Sequence, residues 1–343
     1  MKKVLYLGWI GFKNLGDELL WELFKQHFDG RYHAESVELI PSKPGVPVND
    51  MNLYDTVILG GGSLLVPGYV DLAHNALLAG KKVAIWGTGF DCLEQPAALN
   101  GKWLDEKTAN KIAELVKGAF YFGVRGPLTY RVLEAAGIPL EGAIVSGDPG
   151  ILLPVPSVPK SETKRKIAIN WGTTYNKLFG RDEIRVEDEL AAAAREWSRQ
   201  GYSLYLYPVW GPDRASLERL AGKIGTDADI EVEQKLLGTA PLTEKLAGCH
   251  FSVNFKLHAN LLSYAADLPF ITLGYRFKCF DFVQSVDLLD FIIPTDTPDL
   301  AASLRNSSAW LESERKNVIR KIRAHRQTYS PLLTIPFDRS LIV

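Results

Sequence analysis

The sequence predicts an α/β protein built as two doubly wound halves. Short apolar runs alternate with helical patterns along most of the chain, several of those runs stop at glycine, and a proline-bearing, charged stretch breaks the alternation near the middle. Strands and helices taking turns imply βαβ units and mostly parallel sheets. A chain of 343 residues, 46% hydrophobic and 23% charged, is long enough for two cores of ordinary size.

The elements follow in order. "KKVLYLG" (2–8) reads as a strand leading to a helix near 16–28, "HAESVELI" (33–40) as a second strand, and "DTVILGG" (55–61) as a third with a helix near 71–80. "KVAIWGT" (82–88), a helix near 105–117, "AFYFGVR" (119–125), a helix from Pro127 to about 136 and "EGAIVSGD" (141–148) complete the first half. Prolines followed by a polar run over 149–165 mark the linker, with the domains divided as 1–158 and 159–343. The alternation then restarts: "KIAINWG" (166–172), helix 185–200, "YSLYLYPV" (202–209), helix 212–223, "CHFSVNF" (249–255), helix 257–266, "PFITLGY" (269–275) and helix 278–286. A long helix over 308–328 closes the second domain.

Charge excludes some functions. Lys+Arg 39 against Asp+Glu 40 leaves a formal charge of -1, so no global field draws the protein to nucleic acid or to an anionic membrane. Any anion must be held by a local site. Cys92, Cys249 and Cys279 form no C-x-x-C pair, which suits a reducing compartment without a disulfide framework or a zinc site. With no signal-like or membrane-spanning run, the chain reads as cytoplasmic, with no integral membrane segment.

In open α/β sheets ligands bind at the carboxyl ends of strands, so two such halves are expected to face each other across a cleft. The residues at strand ends are therefore the candidates. Gly8, Gly11 and Gly16 follow the first strand with spacing G-x-x-G-x-x-x-x-G, which matches neither a dinucleotide fingerprint nor a phosphate-binding P-loop. Asn14 and Asp17 sit where that turn becomes a helix, as ligand contacts or as helix caps. "ILGGGSLL" (58–65) and "IWGTGF" (85–90) repeat the glycine-bearing strand end, so Gly61, Gly62 and Ser63 read as part of a ligand floor or as a tight turn.

Arg125, between a strand and the Gly126-Pro127 helix start, is placed to grip a carboxylate or phosphate. Asp148 in "SGDPG" is a second strand-end acid, for which turn formation is an equal reading. In the second half Lys256 and His258 open a helix directly after a strand and are expected to point into the cleft opposite Arg125. Tyr275, Arg276 and Lys278 repeat that arrangement one strand later, and Trp171 with its neighbouring hydroxyls suits a sugar face or the core. His27, His33, His74, His250 and His325 lack such settings.

Together these motifs resemble the polysaccharide pyruvyl transferases. The resemblance lies in "GFKNLGDELL" (11–20), "ILGGGSLL" (58–65), "GTG" (87–89), "VRGPLT" (124–129), "SGDPG" (146–150), "KLHAN" (256–260) and "GYRFK" (274–278), in that family's order and over nearly the whole chain. It implies two Rossmann-like domains of the glycosyltransferase-B-like kind and transfer of the enolpyruvyl group of phosphoenolpyruvate onto two hydroxyls of one sugar, giving a pyruvate ketal.

The donor would be held by Arg125, Lys256 and His258 together with Gly61, Gly62, Ser63 and Lys278. His258, Arg125 and Asp17 would act in catalysis, and Asn14, Asp17, Asp148, Trp171 and Tyr275 would meet the acceptor. No metal and no cofactor beyond phosphoenolpyruvate as substrate is implied. The acceptor would belong to a cell-surface polysaccharide or its lipid-linked precursor, the latter involving brief contact with the inner face of the membrane. One departure stands out: the family commonly carries arginine where this chain has Lys256, and lysine lacks the bidentate fork. The alternatives are a sugar-nucleotide glycosyltransferase of the same architecture and a non-catalytic sugar-binding relative.

Overall fold

The computed structural model describes residues 1–12, 14–33, 36–98, 103–157 and 165–338. The chain forms two compact units. The first comprises Met1–Cys92, Pro96–Leu152 and the chain from Arg326 onward; the second comprises Leu93–Gln95 and Leu153–His325. The sequence-based boundary at 158/159, and much of the linker, lie outside the described residues.

In the first unit β1 (Lys2–Leu7), β2 (Val37–Pro41), β3 (Thr56–Leu59), β4 (Lys82–Thr88), β5 (Tyr121–Val124) and β6 (Ala143–Val145) form one parallel sheet in the order β2-β1-β3-β4-β5-β6. The crossovers are α1 (Leu15–Asp29), α2 (Pro67–Leu78), α3 (Glu106–Gly118) and α4 (Pro127–Ala135). β3 and β5 are buried at every position, as parallel strands covered on both faces must be. Leu5, Val57, Leu59 and Ile85 from the strands pack with Ile112 and Leu115 of α3. Each such side chain contributes about 1.5–3 kcal/mol of transfer free energy.

The second unit repeats the plan with β7 (Lys166–Asn170), β8 (Ser203–Tyr207), β9 (Ile230–Val232), β10 (Phe251–Asn254), β11 (Phe270–Gly274) and β12 (Ile292–Pro294), ordered β12-β11-β10-β7-β8-β9. Its helices are α5 (Glu183–Arg199), α6 (Asp213–Ile224), α7 (Thr239–Ala247), α8 (Leu257–Ala265) and α9 (Phe277–Ser285). The final helix, α10, runs Leu300–Asp338.

The sheet orders locate the switch points, where chains leave neighbouring strands in opposite directions and open a crevice at the carboxyl edge. They fall between β1 and β3 in the first sheet and between β7 and β10 in the second.

The predicted α/β class and the paired doubly wound halves match this architecture. Three short elements, β9, α7 and β12, go unread in the sequence. β9 and β12 have only three residues each, too few for a period, and α7 carries Pro241 in its first turn, which reads as a breaker. α2 starts at Pro67 rather than near 71 because proline is already set for a first helical position.

α10 is longer than expected at both ends. It continues through Pro331 and Pro336, and from Arg326 it packs with the first unit, whereas the sequence assigns the whole closing helix to the second domain. Its last turns are fastened there: Trp86 Nε1 donates to the Leu333 carbonyl at 2.8 Å, Tyr121 Oη to that of Leu332 at 2.9 Å, and Tyr32 Oη to that of Phe337 at 2.8 Å.

Candidate active site

In the first unit the loops after β1, β3 and β4 meet at the carboxyl edge. Asn14 caps α1, its Oδ1 accepting from Gly16 N at 3.1 Å, so the capping role is its observed one. Glu18 Oε1 reaches back to accept from Gly11 N at 2.7 Å, bracing the loop. Asp17, half-buried in the first turn, lies beside the β3 loop: a Cβ placed on Gly62 would come 3.5 Å from its Oδ1. Gly62 has φ +106, a left-handed conformation that suits glycine. Its carbonyl accepts from Gly89 N at 2.8 Å, tying the second glycine loop to the third.

Arg125 is wholly buried beneath these loops. Its guanidinium donates to the Gly62 carbonyl at 3.2 Å, to Ser63 Oγ at 3.2 Å and to the Phe90 carbonyl at 2.6 Å. The space it occupies is why residue 89 is glycine: a Cβ there would stand 2.5 Å from Arg125 Cζ. Gly61 and Gly87 are likewise filled by Pro149, with hypothetical Cβ contacts of 2.9 and 2.5 Å. The expected direct grip on an anion is therefore corrected for Arg125 in this conformation, since it underpins the loop surface rather than forming part of it. Asp148 is also buried, 1% exposed, with Oδ1 accepting from Gly150 N at 2.9 Å. The turn accounts for it, and an acceptor contact does not.

In the second unit the switch point gathers charge. Lys256 is the N-cap of α8, and His258, half-buried, is the second residue of that helix. The Lys256 backbone N–H donates to Asn170 Oδ1 at 2.9 Å. Asn170 is itself fixed by donating to the Tyr207 carbonyl at 3.0 Å, and the Tyr207 hydroxyl donates to Asn254 Oδ1 at 2.9 Å. This buried network spans β7, β8 and β10 and sets where the ammonium stands.

Lys256 Nζ donates to the Thr173 carbonyl and lies 3.7 Å from Asp213 Oδ1. It also sits 5.3, 5.6 and 5.9 Å from the ring centroids of Phe255, Trp210 and Tyr275, within cation–π range. Lys278, the second residue of α9, places its Nζ 5.5 Å from the same Tyr275 ring. Burial pushes the Lys256 ammonium below the usual lysine range; Asp213 opposes the shift and Lys278 adds to it. Two lysines and a histidine thus occupy the starts of two adjacent helices, where the helix dipole also favours an anion.

Asp213 opens α6 and is completely enclosed. Burial raises its carboxyl to about 6, against the pull of Lys256 and of backbone donors. Thr173 N donates to its Oδ1 at 3.1 Å, and Gly172 makes room for it, since a Cβ there would come 2.0 Å from that oxygen. Glu183 holds the same loop by accepting from Thr173 Oγ1 at 2.9 Å, Thr174 Oγ1 at 2.6 Å and Asn176 N at 3.0 Å. It thereby stabilises the positive φ of Tyr175 (53°) and Asn176 (57°). Sequence reasoning misses Asp213, Glu183 and Trp210. A signal is present in "YPVWGPD", an aromatic and an acid just past a strand end.

Trp171 corrects another expectation. It is fully buried, its Nε1 donates to Glu187 Oε2 at 2.8 Å, and its ring lies 4.5 Å from that of Phe255, so it offers no face to a sugar. Tyr275, 4% exposed, packs at 4.7 Å against Phe255 and meets lysine ammoniums.

A family model described as polysaccharide pyruvyl transferase matches residues 14–276. No curated protein matches the chain. Among solved structures, the Staphylococcus aureus MnaA–UDP co-structure aligns with a TM-score of 0.62 at 14% identity, covering 100% of this chain and 98% of that one. A putative UDP-N-acetylglucosamine 2-epimerase from Listeria monocytogenes aligns at 0.59 and 13%, covering 99% and 98%. WaaG, a glycosyltransferase of lipopolysaccharide biosynthesis, aligns at 0.52 and 13%, covering 98% of each chain. These likenesses show a glycosyltransferase-B-like fold.

Proposed function

As the chain belongs to the polysaccharide pyruvyl transferase family, we propose that it transfers the enolpyruvyl group of phosphoenolpyruvate to two hydroxyls of one sugar in a cell-surface polysaccharide or its precursor. The observation that carries the proposal is the cationic cluster at the second switch point: Lys256 and Lys278 on one tyrosine ring, with His258 two residues beyond Lys256. A compact, multiply charged anion is the ligand such a cluster favours, because ammonium groups and helix starts neutralise it together.

The chemistry runs in two additions. A proton delivered to the enol methylene carbon makes the neighbouring carbon oxocarbenium-like, and one sugar hydroxyl adds to that carbon while losing its proton to a base. Phosphate then leaves with the C–O bond electrons, and the second hydroxyl closes the ketal ring, again releasing a proton. In this scheme Lys256 and Lys278 hold the phosphate, and His258 protonates it as it departs or takes the hydroxyl proton. In the first unit Asp17, beside Gly62, is the candidate sugar contact. Arg125 fixes the glycine loops next to it.

Ligand-dependent unfolding tests the donor. At a hundredfold excess over its Kd, phosphoenolpyruvate stabilises the folded protein by about 2.7 kcal/mol and raises its melting midpoint by several degrees, while UDP leaves it unchanged. Stabilisation by UDP and not by phosphoenolpyruvate would favour a sugar-nucleotide transferase instead.

A further inference from the structure

A cavity of about 580 Å³ opens in the first unit between the loop after β1, the loop after β2 and the start of α2. Its walls are apolar: Trp9 and Phe12 from the first loop, Val46 and Val48 from the second, and Tyr69 and Leu72 from the helix. Trp9 and Phe12 are 46% and 51% exposed, their rings 5.6 Å apart and inclined at 40°. Such large aromatic surface left open to water on a short loop costs solvation free energy unless a ligand covers it.

The polar groups in the wall are already engaged. Ser42 Oγ both accepts from Gly8 N and donates to the Gly8 carbonyl, each at 2.9 Å, and Tyr69 Oη donates to the same carbonyl at 3.4 Å. A sugar ring needs hydrogen-bond partners aimed at its hydroxyls, whereas a hydrocarbon chain needs none. Among the described residues the one charged side chain of the lining is Lys43, which is exposed and takes part in no ion pair. An apolar pocket with the Lys43 ammonium at its rim is complementary to a hydrocarbon chain ending in an anion.

The cavity also adjoins the candidate acceptor residues. Leu7 and Gly8, at the end of β1, line it, and β1 borders the switch point with β3. The Tyr69 phenol is pushed up by burial and then by the charge of Asp17, so the wall lies within electrostatic reach of that carboxylate.

We propose that this cavity takes the hydrocarbon chain of an acceptor carried on a lipid phosphate, with Lys43 meeting the phosphate. It rests on the pyruvyl-transfer proposal only in calling the ligand an acceptor, and chain binding can be measured without turnover. A specific variant blocks it: Gly68, in the first turn of α2, lines the cavity, and a Cβ there meets nothing within 4 Å. In Gly68→Leu the Cβ therefore meets no neighbour, and the longer side chain adds bulk at the cavity wall.

Calorimetric titration of the full chain with hexyl, octyl and decyl phosphate below their micelle concentrations reads the site. Affinity should rise about fourfold per added methylene until the cavity is full. Inorganic phosphate should bind equally to the wild type and to Gly68→Leu, since its site is the Lys256 and Lys278 cluster. Gly68→Leu should abolish the chain-length dependence of alkyl phosphate binding with an unchanged melting midpoint, and Lys43→Ala should weaken decyl phosphate about fivefold while leaving octyl glucoside unaffected.

Affinity independent of chain length, equal binding of methyl and octyl glucoside, or adsorption to phosphatidylglycerol vesicles that persists in Gly68→Leu would overturn the proposal. The last outcome would make Trp9 and Phe12 a membrane-surface anchor. Intact alkyl phosphate binding with no pyruvyl transfer would count against the proposed reaction and leave the chain site standing.

Discussion

Lys256 Nζ stands 3.7 Å from Asp213 Oδ1, a carboxylate shut off from solvent, and the lysine side chain is itself only 12% exposed. A buried pair of this kind is costly to assemble and more costly to break from one side. Its use here is to hold one ammonium at the start of α8 in a fixed place and charge state.

The acidic limb of the pH–rate profile should therefore lie near the Asp213 value of about 6, below which the lysine loses its charged partner. In Asp213→Asn the limb should flatten and kcat/KM for phosphoenolpyruvate should fall at least tenfold. An unaltered profile would remove Asp213 from the mechanism. The stability effect has the opposite sense. Because the folded carboxyl is raised, Asp213 contributes stability that is complete below the ordinary carboxyl range and is lost as pH rises to about 6. Denaturant midpoints of wild type and Asp213→Asn across that window should diverge accordingly.

Arg125 should behave as a structural residue. Removing its side chain leaves the Gly62 and Phe90 carbonyls without that donor in a buried setting, so Arg125→Ala should lower the unfolding free energy by about 3 kcal/mol. Gly89→Ala forces a methyl against the same guanidinium and should cost about 1–3 kcal/mol. Equilibrium denaturation measures both. Full stability of Arg125→Ala together with a raised KM for phosphoenolpyruvate would instead make it a ligand contact.

Trp171→Phe removes the donor to Glu187 Oε2 while keeping most of the ring volume. The expected loss is about 1–2 kcal/mol of stability, with no change in KM for the acceptor. A large rise in that KM at constant stability would restore the sugar-face role.

The fold was legible because parallel strands buried on both faces are near-continuous apolar runs, and β4, β7 and α4 fall almost where those runs end. The strand-end rule also put Lys256, His258 and Lys278 at helix starts that directly follow buried strands, where the structure has them. It overreached at Gly61 and Arg125. The same glycine pattern that admits a ligand also admits a proline ring or a guanidinium from the protein itself, and sequence does not distinguish these occupants. "YPVWGPD" marks Asp213 as an acid past a strand end, but its pairing with Lys256 is illegible because that partner lies far along the chain, joined through strand order rather than through any motif. The Trp9 and Phe12 cavity depends on a loop after β2 that carries no pattern of its own.

His258→Ala should retain the wild-type melting midpoint, since the side chain is only half-buried, and should reduce turnover at least a hundredfold. Near-normal turnover would take the imidazole out of the proton transfers.

The measurement that tests the central claim most directly is product analysis after incubation of the protein with phosphoenolpyruvate and lipid-linked or nitrophenyl sugars. Pyruvyl transfer predicts one phosphate released per product and a sugar heavier by one pyruvate less one water, with both signals lost in Lys256→Ala. Phosphate and ketal absent across a broad acceptor panel, or ketal formed at full rate by Lys256→Ala, would contradict it.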